Sequence, residues 1–231
     1  MTPLAKLPDH DPAIDALDPA IRRRLGELWR ERAATEMGAG WAFALVVTEL
    51  YALGAETEVL ALATRGAHDE VRHAQLCAHL ASVYLQEPVA ARSERIALPE
   101  HEGADERTRM QLHVVGLAIS ETLAAGFLQA CLAECEAELP KTVARAHLED
   151  DIAHARVGWA HMASAAFAPD RSTVRPWVPR LIEANLRHWR SRIAELPVIP
   201  AHGYPEHATL TSALEETARD VLVPGFRHVG L

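Results

Sequence analysis

The chain has few aromatic residues and no long hydrophobic run. Phe, Trp and Tyr make up 5% of its 231 residues, whereas hydrophobic residues in total make up 49%. Ala and Leu are abundant, and both lose little freedom in a helix, so the composition favours helices over strands. No stretch approaches the roughly 18 uninterrupted apolar residues of a membrane span, and positions 1–10 lack the apolar centre of a signal peptide. We expect no membrane partner.

Cysteine and clustered positive charge are also scarce. The cysteines are Cys77, Cys131 and Cys135, an odd number without a CxxC pair, which argues against a disulfide framework or a zinc knuckle. Buried, reduced thiols in a cytoplasmic protein are the simplest interpretation. The formal net charge is -9, and the longest basic run is Arg22–Arg24. Such a chain repels phosphate backbones, so we expect no nucleic-acid partner.

Proline is missing from three long tracts, 20–87, 100–139 and 141–168. Because proline costs about 3 kcal/mol inside a helix, these tracts are where long helices fit. Asp18 and Pro19 are typical of a helix start, and Gly54 of a helix end. The pattern predicts helices at about 19–53, 56–85, 105–135, from about 140 to 167, and 177–196. The remaining tail is predicted to be irregular, with a short helix around 210–221.

This order predicts an all-α protein built on a four-helix bundle. Two helical hairpins would be joined by one long crossover at about 86–104, with a fifth helix and a C-terminal tail packed outside. We expect an irregular segment at 1–17, the bundle at 18–168 and the accessory helix and tail at 169–231.

Two similar motifs lie on the second and fourth predicted helices. Residues 69–73 read Asp-Glu-Val-Arg-His, and residues 150–154 read Asp-Asp-Ile-Ala-His. Residues three apart share one helix face, so Glu70 can act with His73, and Asp151 with His154, as paired metal ligands. His147 and His161 lie on the same face of the fourth helix, and we interpret them as packed side chains.

The first helix of each hairpin adds one glutamate at a matching depth. Glu36 precedes Glu70, and Glu121 precedes Asp151, by similar lengths of chain. At about 1.5 Å rise per residue, each pair returns to nearly the same level after the turn, so all six side chains can meet in mid-bundle. Four buried carboxylates need cations nearby. Oxygen and nitrogen ligands without thiolate suit iron or manganese, and zinc remains an alternative metal.

The ligand pattern over residues 20–168 resembles the ferritin-like di-iron carboxylate superfamily. That resemblance implies two iron ions, or a manganese–iron pair, held by Glu36, Glu70, His73, Glu121, Asp151 and His154. The Asp-Glu-x-Arg-His form is similar to bacterial multicomponent monooxygenases. By this resemblance, Asp69 and Asp150 would orient His154 and His73, and Arg72 would join their network.

Two positions depart from the superfamily pattern. Asp151 replaces the usual glutamate and is one methylene shorter, and Ala153 stands where a second arginine would occur. We therefore expect the second metal site to bind more weakly.

The resemblance implies an oxidase or oxygenase that uses O2 on a small molecule. The scarcity of charge near the predicted ligands suggests that this molecule is largely apolar. The alternative is a ferroxidase that oxidises iron without an organic substrate. No flavin or nicotinamide motif is visible, so electrons would come from a separate donor. The long tract after the fourth helix would cover a pocket or form the contact of a homodimer.

Overall fold

The computed structural model describes residues 7–231, and this part of the chain is all-α. Its only β-type pairing is an isolated bridge between Ile199 and Tyr204. The α-helices are α1 Pro12–Asp15, α2 Pro19–Leu53, α3 Thr57–Leu85, α4 Glu106–Glu134, α5 Glu138–Ala163, α6 Arg171–Val174, α7 Val178–Ala194, α8 His207–Thr217 and α9 Val223–His228. The all-α prediction is confirmed.

The first hairpin begins and ends where the sequence signals predict. Oδ1 of Asp18 accepts hydrogen bonds from the backbone N–H groups of Ala20 and Ile21, at 2.9 and 3.3 Å. These bonds satisfy donors that the first turn of a helix leaves free. Gly54 closes α2 in the left-handed conformation at φ 72°, which glycine adopts without steric cost. Helix α3 then returns along α2.

The second hairpin turns close to Pro140, where the helix is predicted to begin. Pro140 lies within the first turn of α5, where it is tolerated because a first-turn residue has no intrahelical acceptor for its N–H. Asp11, which lies outside the hairpin, caps the start of α5: its Oδ2 accepts a hydrogen bond from the backbone N–H of Leu139 at 2.9 Å. The helix ends at Ala163, before the predicted end near Phe167, whose side chain is fully buried in the core.

The two hairpins pack into a bundle through α3 against α5 and α2 against α4. Gly158 marks a close approach of α4 and α5, since a Cβ there would lie 2.5 Å from Cβ of Ala118. The crossover between α3 and α4 packs on α2, where Ile96 contacts Gly38 and the Arg95 guanidinium lies 5.1 Å from the Trp41 ring centre. These contacts fix the relative depth of the four long helices.

The C-terminal region is more helical than predicted. Helices α8 and α9 are joined by a π-helical turn at Ala218–Leu222, so the chain is helical from 207 to 228. Pro224 is the second residue of α9 and follows the π-helical turn directly, and it does not interrupt the helical run. The tail packs on the bundle, with the Trp159 and Phe226 rings 4.9 Å apart.

Helix α4 is the one described helix that is long and apolar enough to cross a membrane. In this structure 56% of its most apolar stretch is buried inside the protein. Its neighbours are α5 on one side and α8 on another, which is the environment of a bundle core.

Candidate metal centre

The structure brings all six predicted ligands to one place in the middle of the bundle. Each of the four long helices contributes, with Glu36 from α2, Glu70 and His73 from α3, Glu121 from α4, and Asp151 and His154 from α5. Five of the six are buried, and Glu36 keeps 13% of its side chain accessible. In each hairpin, the ligands of the first and second helix thus lie at the same depth in the bundle, as their similar sequence spacings predict.

The six side chains form two overlapping groups around Glu70. Its carboxylate lies with Glu36 and His73 in one group, and with Glu121, Asp151 and His154 in the other. In each group, one ligand atom per residue lies within 4.8 Å of the others. Glu70 is therefore the residue that the two groups share, and each group could hold a metal ion.

Asp151 reaches both histidines despite its shorter side chain. Its Oδ1 lies 3.7 Å from Nδ1 of His154 and 3.9 Å from Nδ1 of His73. Whether the second site binds more weakly, as its sequence predicts, stays a prediction.

Several buried polar atoms at this point have no hydrogen-bond partner. They are Nδ1 of His73, Nδ1 and Nε2 of His154, Oε2 of Glu70, and Nε and Nη1 of the neighbouring Arg72. The Nδ1 of His154 lies 3.0 Å from Oε1 of Glu70 without the alignment of a hydrogen bond. Unpartnered buried polar atoms are costly, and four of these six atoms belong to proposed ligands. The donor set therefore fits metal ions held among these atoms.

The carboxylates at the centre strongly affect one another. Burial raises the pKa of Asp151 well above its usual range, and Glu121 and Glu70 raise it further. Burial also raises the pKa of Glu36 to about 8, against the opposing effect of Arg32. Without metal, the cluster must therefore hold protons to limit repulsion among its carboxylates, and divalent cations can take their place.

The histidines differ in their protonation. Burial lowers the pKa of His154, but Glu121 and Glu70 outweigh it and raise the value to about 11. The pKa of His73 is lowered, chiefly by burial. The carboxylates therefore stabilise the protonated imidazole of His154, and a metal ion that binds this imidazole would displace its proton.

The outer nitrogens of both histidines face aspartates of the opposite hairpin. Nε2 of His73 lies 3.1 Å from Oδ2 of Asp150, which also accepts from Arg72. Nε2 of His154 lies 3.7 Å from Oδ2 of Asp69, beyond hydrogen-bond distance. The expected contact of Asp150 with His73 is therefore present, whereas Asp69 makes no hydrogen bond to His154.

Three residues near the centre were not identified as functional from the sequence. Arg65 donates to Asp69 at 3.2 Å, and Arg32 donates to Oε1 of Glu36 at 2.9 Å. Each arginine lies one helical turn before its partner, a spacing that could have revealed both pairs. His147 is buried, as expected, and its ring stacks on His73 with centres 4.1 Å apart. No sequence signal distinguishes that stack from ordinary packing.

The three cysteines are free and buried, as the composition predicts. Only Cys77 approaches the centre, with Sγ 3.8 Å from Nε2 of His147. Cys77 also lies with Glu36 and His147 in a third group that could hold a metal ion, whereas the six predicted ligands are carboxylates and imidazoles from four helices. No family model, curated protein or solved structure matches this chain.

Proposed function

We propose that this protein is a non-haem di-iron oxidase or oxygenase of the ferritin-like type, which uses O2 to oxidise a small organic molecule. One observation carries the proposal. Four carboxylates and two imidazoles converge inside the bundle, and the nitrogen atoms that face the carboxylates have no other partner. Oxygen donors combined with imidazole suit iron or manganese.

The chain's residues divide the work of holding two ions. Glu36, Glu70 and His73 would hold one, and Glu70, Glu121, Asp151 and His154 the other. When bound, the pair would supply the electrons and the Lewis acidity needed to reduce O2. Asp150 fixes the ring of His73 by accepting from its outer nitrogen.

Apolar packing keeps bulk water away from one side of the centre. Phe43 is fully buried and its ring meets His154 edge-on, with ring centres 5.1 Å apart. Gly66 leaves room for that ring, since a Cβ there would lie 2.6 Å from Cε1 of Phe43. A dry wall beside the ligands favours oxidation of a substrate over loss of the oxidant to solvent.

The test begins with protein loaded anaerobically with Fe(II) and then exposed to O2. With a chemical reductant and a panel of small organic molecules, we expect Fe(II) oxidation coupled to a product detected by mass spectrometry. His73→Ala should lose this reaction. His68→Ala is the matched control because His68 is exposed on the same helix, and it should behave as wild type.

The ferroxidase alternative gives a different result in the same experiment. Iron oxidation that proceeds through many equivalents of Fe(II) per chain, with mineral retained by a large assembly and no organic product, would favour storage. Failure of iron to bind would contradict both functions.

A further inference from the structure

A positive side chain is built into one edge of the proposed centre. Arg32 donates from Nε to Oε1 of Glu36 at 2.9 Å, and its Nη2 lies 3.3 Å from Nδ1 of His147. One oxygen of Glu36 is thereby occupied, and the other, Oε2, faces His73 at 4.0 Å. Arg32 thus limits Glu36 to one oxygen for a metal ion.

The other arginines near the centre are already balanced by acids outside the ligand set. Arg72 pairs with Asp150, and Arg65 pairs with Asp69. These two pairs add no net charge. Arg32 has no such partner, because the acid it contacts is itself a proposed ligand.

The charge of the loaded centre follows from these pairings. The four ligand carboxylates carry four negative charges when they bind metal, and Arg32 offsets one of them. Two divalent ions bring four positive charges, while neutral imidazoles bring none. The loaded centre therefore has one excess positive charge in a mostly buried environment, where charges are screened less than in water.

The excess charge lies at the most accessible edge of the centre. The side chain of Arg32 is 26% accessible, compared with 13% for Glu36 and 11% for Glu121. The other four ligands are buried more deeply, and the most accessible of them, Asp151, is at 8%. Arg32 is therefore more accessible to solvent than any of the six proposed ligands.

Arg32 also keeps a donor free at this edge. Its Nε and Nη2 are engaged, whereas Nη1 makes no hydrogen bond to any residue within 7–231. The guanidinium carbon lies 5.4 Å from the ring centre of Trp29, whose Nε1 is buried without a partner. A guanidinium N–H is a donor only, so the free Nη1 suits an acceptor without a hydrogen to donate.

From these contacts we infer that the metal-loaded centre binds a carboxylate at its Arg32 edge, and that the substrate carries such a group. The inference rests on the proposed function, since the excess charge requires two metal ions. A carboxylate supplies the one negative charge that the loaded centre lacks, and its oxygens match the free guanidinium donor. The expected substrate thus changes from a largely apolar molecule to an organic acid.

The experiment compares acetate with acetamide, which is of similar size but neutral. The protein is loaded with two Co(II) ions per chain, and binding is followed by the change in Co(II) absorption. We expect wild type to bind acetate at least about tenfold more tightly than acetamide. Arg32→Met should lose this preference. Arg30→Met is the control, since Arg30 lies on the same helix and pairs with Glu27 and Glu87 on the surface.

Each outcome is decisive. Equal binding of acetate and acetamide by loaded wild type, or an unchanged preference in loaded Arg32→Met, overturns the inference and leaves the proposed function intact. Wild type that cannot hold two ions overturns both. If Arg32→Met loses its metal, two other measurements decide whether the inference holds. Wild type should bind acetate more tightly than acetamide, and Arg32→Lys, which keeps the positive charge, should show the same preference.

Discussion

Nε2 of His73 lies 3.1 Å from Oδ2 of Asp150, the residue that directly precedes the proposed ligand Asp151 on the opposite hairpin. This contact links α3 to α5 and leaves Nδ1 of His73 facing the carboxylates. A ligand histidine held by its outer nitrogen is fixed in its tautomer and orientation. The pairing therefore connects the packing of the two hairpins to the metal affinity of the centre.

Replacement of Asp150 by Asn should weaken metal binding. The amide keeps the shape of the side chain but removes the charge that orients His73 and pairs with Arg72. Loss of such a partner typically lowers metal affinity by about 10- to 100-fold. Competition with a chelator measures the change. Glu149→Gln, at an exposed neighbouring position, should retain wild-type affinity, and equal affinity in both variants would contradict the role of Asp150.

Asp151→Asn should have opposite effects on the metal-free and metal-loaded protein. Without metal, it removes one carboxylate from a buried group in which Glu121 and Glu70 oppose its charge. We expect a gain in unfolding free energy on the order of 1 kcal/mol. Metal should then stabilise the variant less than wild type, because fewer ligands remain. Thermal unfolding with chelator and with Fe(II) measures both effects, and a less stable metal-free variant would contradict the repulsion.

Two glycines form a matched test of helix packing near the centre. A Cβ at Gly158 would lie 2.8 Å from the carbonyl oxygen of Val114, whereas a Cβ at Gly116 would meet nothing within 4 Å. Gly158→Ala should destabilise the fold by about 1–3 kcal/mol through overpacking. Gly116→Ala should stabilise it by about 0.5–1 kcal/mol, since alanine is the better helix former. Urea unfolding measures both, and similar effects at the two sites would contradict the packing of α4 on α5.

The sequence predicts the long helices and the convergence of their acidic and histidine residues well. Local sequence signals are strong in these helices. Asp18 marks the start of α2 and Gly54 marks its end, and the helical spacing of Glu70 and His73 places both on one face. Contacts that depend on tertiary packing are less accessible to sequence reasoning. The stack of His147 on His73 joins side chains of two different hairpins, and the cap on α5 comes from Asp11, far away in the sequence.

The acid sensitivity of the fold should depend partly on His161. Its ring is fully buried, with Nε2 at 2.8 Å from Oε1 of Gln111, and burial lowers its pKa to about 4. The folded-state pKa is below the unfolded value of about 6.5, so the unfolded state takes up the proton first. Stability is therefore lost as the pH falls from about 6.5 towards 4.

The variant His161→Gln isolates this contribution. Between pH 7 and about pH 4.5, wild type should lose about 2–3 kcal/mol more unfolding free energy than the variant. Urea unfolding at the two pH values gives the difference, and an NMR titration follows the His161 imidazole directly. Equal losses in both proteins would show that His161 does not titrate in this way.

Six side chains of one chain are proposed to hold a pair of metal ions, and anaerobic equilibrium titration with Fe(II) tests this most directly. Wild type should bind two ions per chain, and Glu70→Ala should bind no more than one because Glu70 belongs to both ligand groups. His68→Ala, exposed on the same helix, should still bind two. Fewer than two ions in wild type, or two ions retained in Glu70→Ala, would contradict the account.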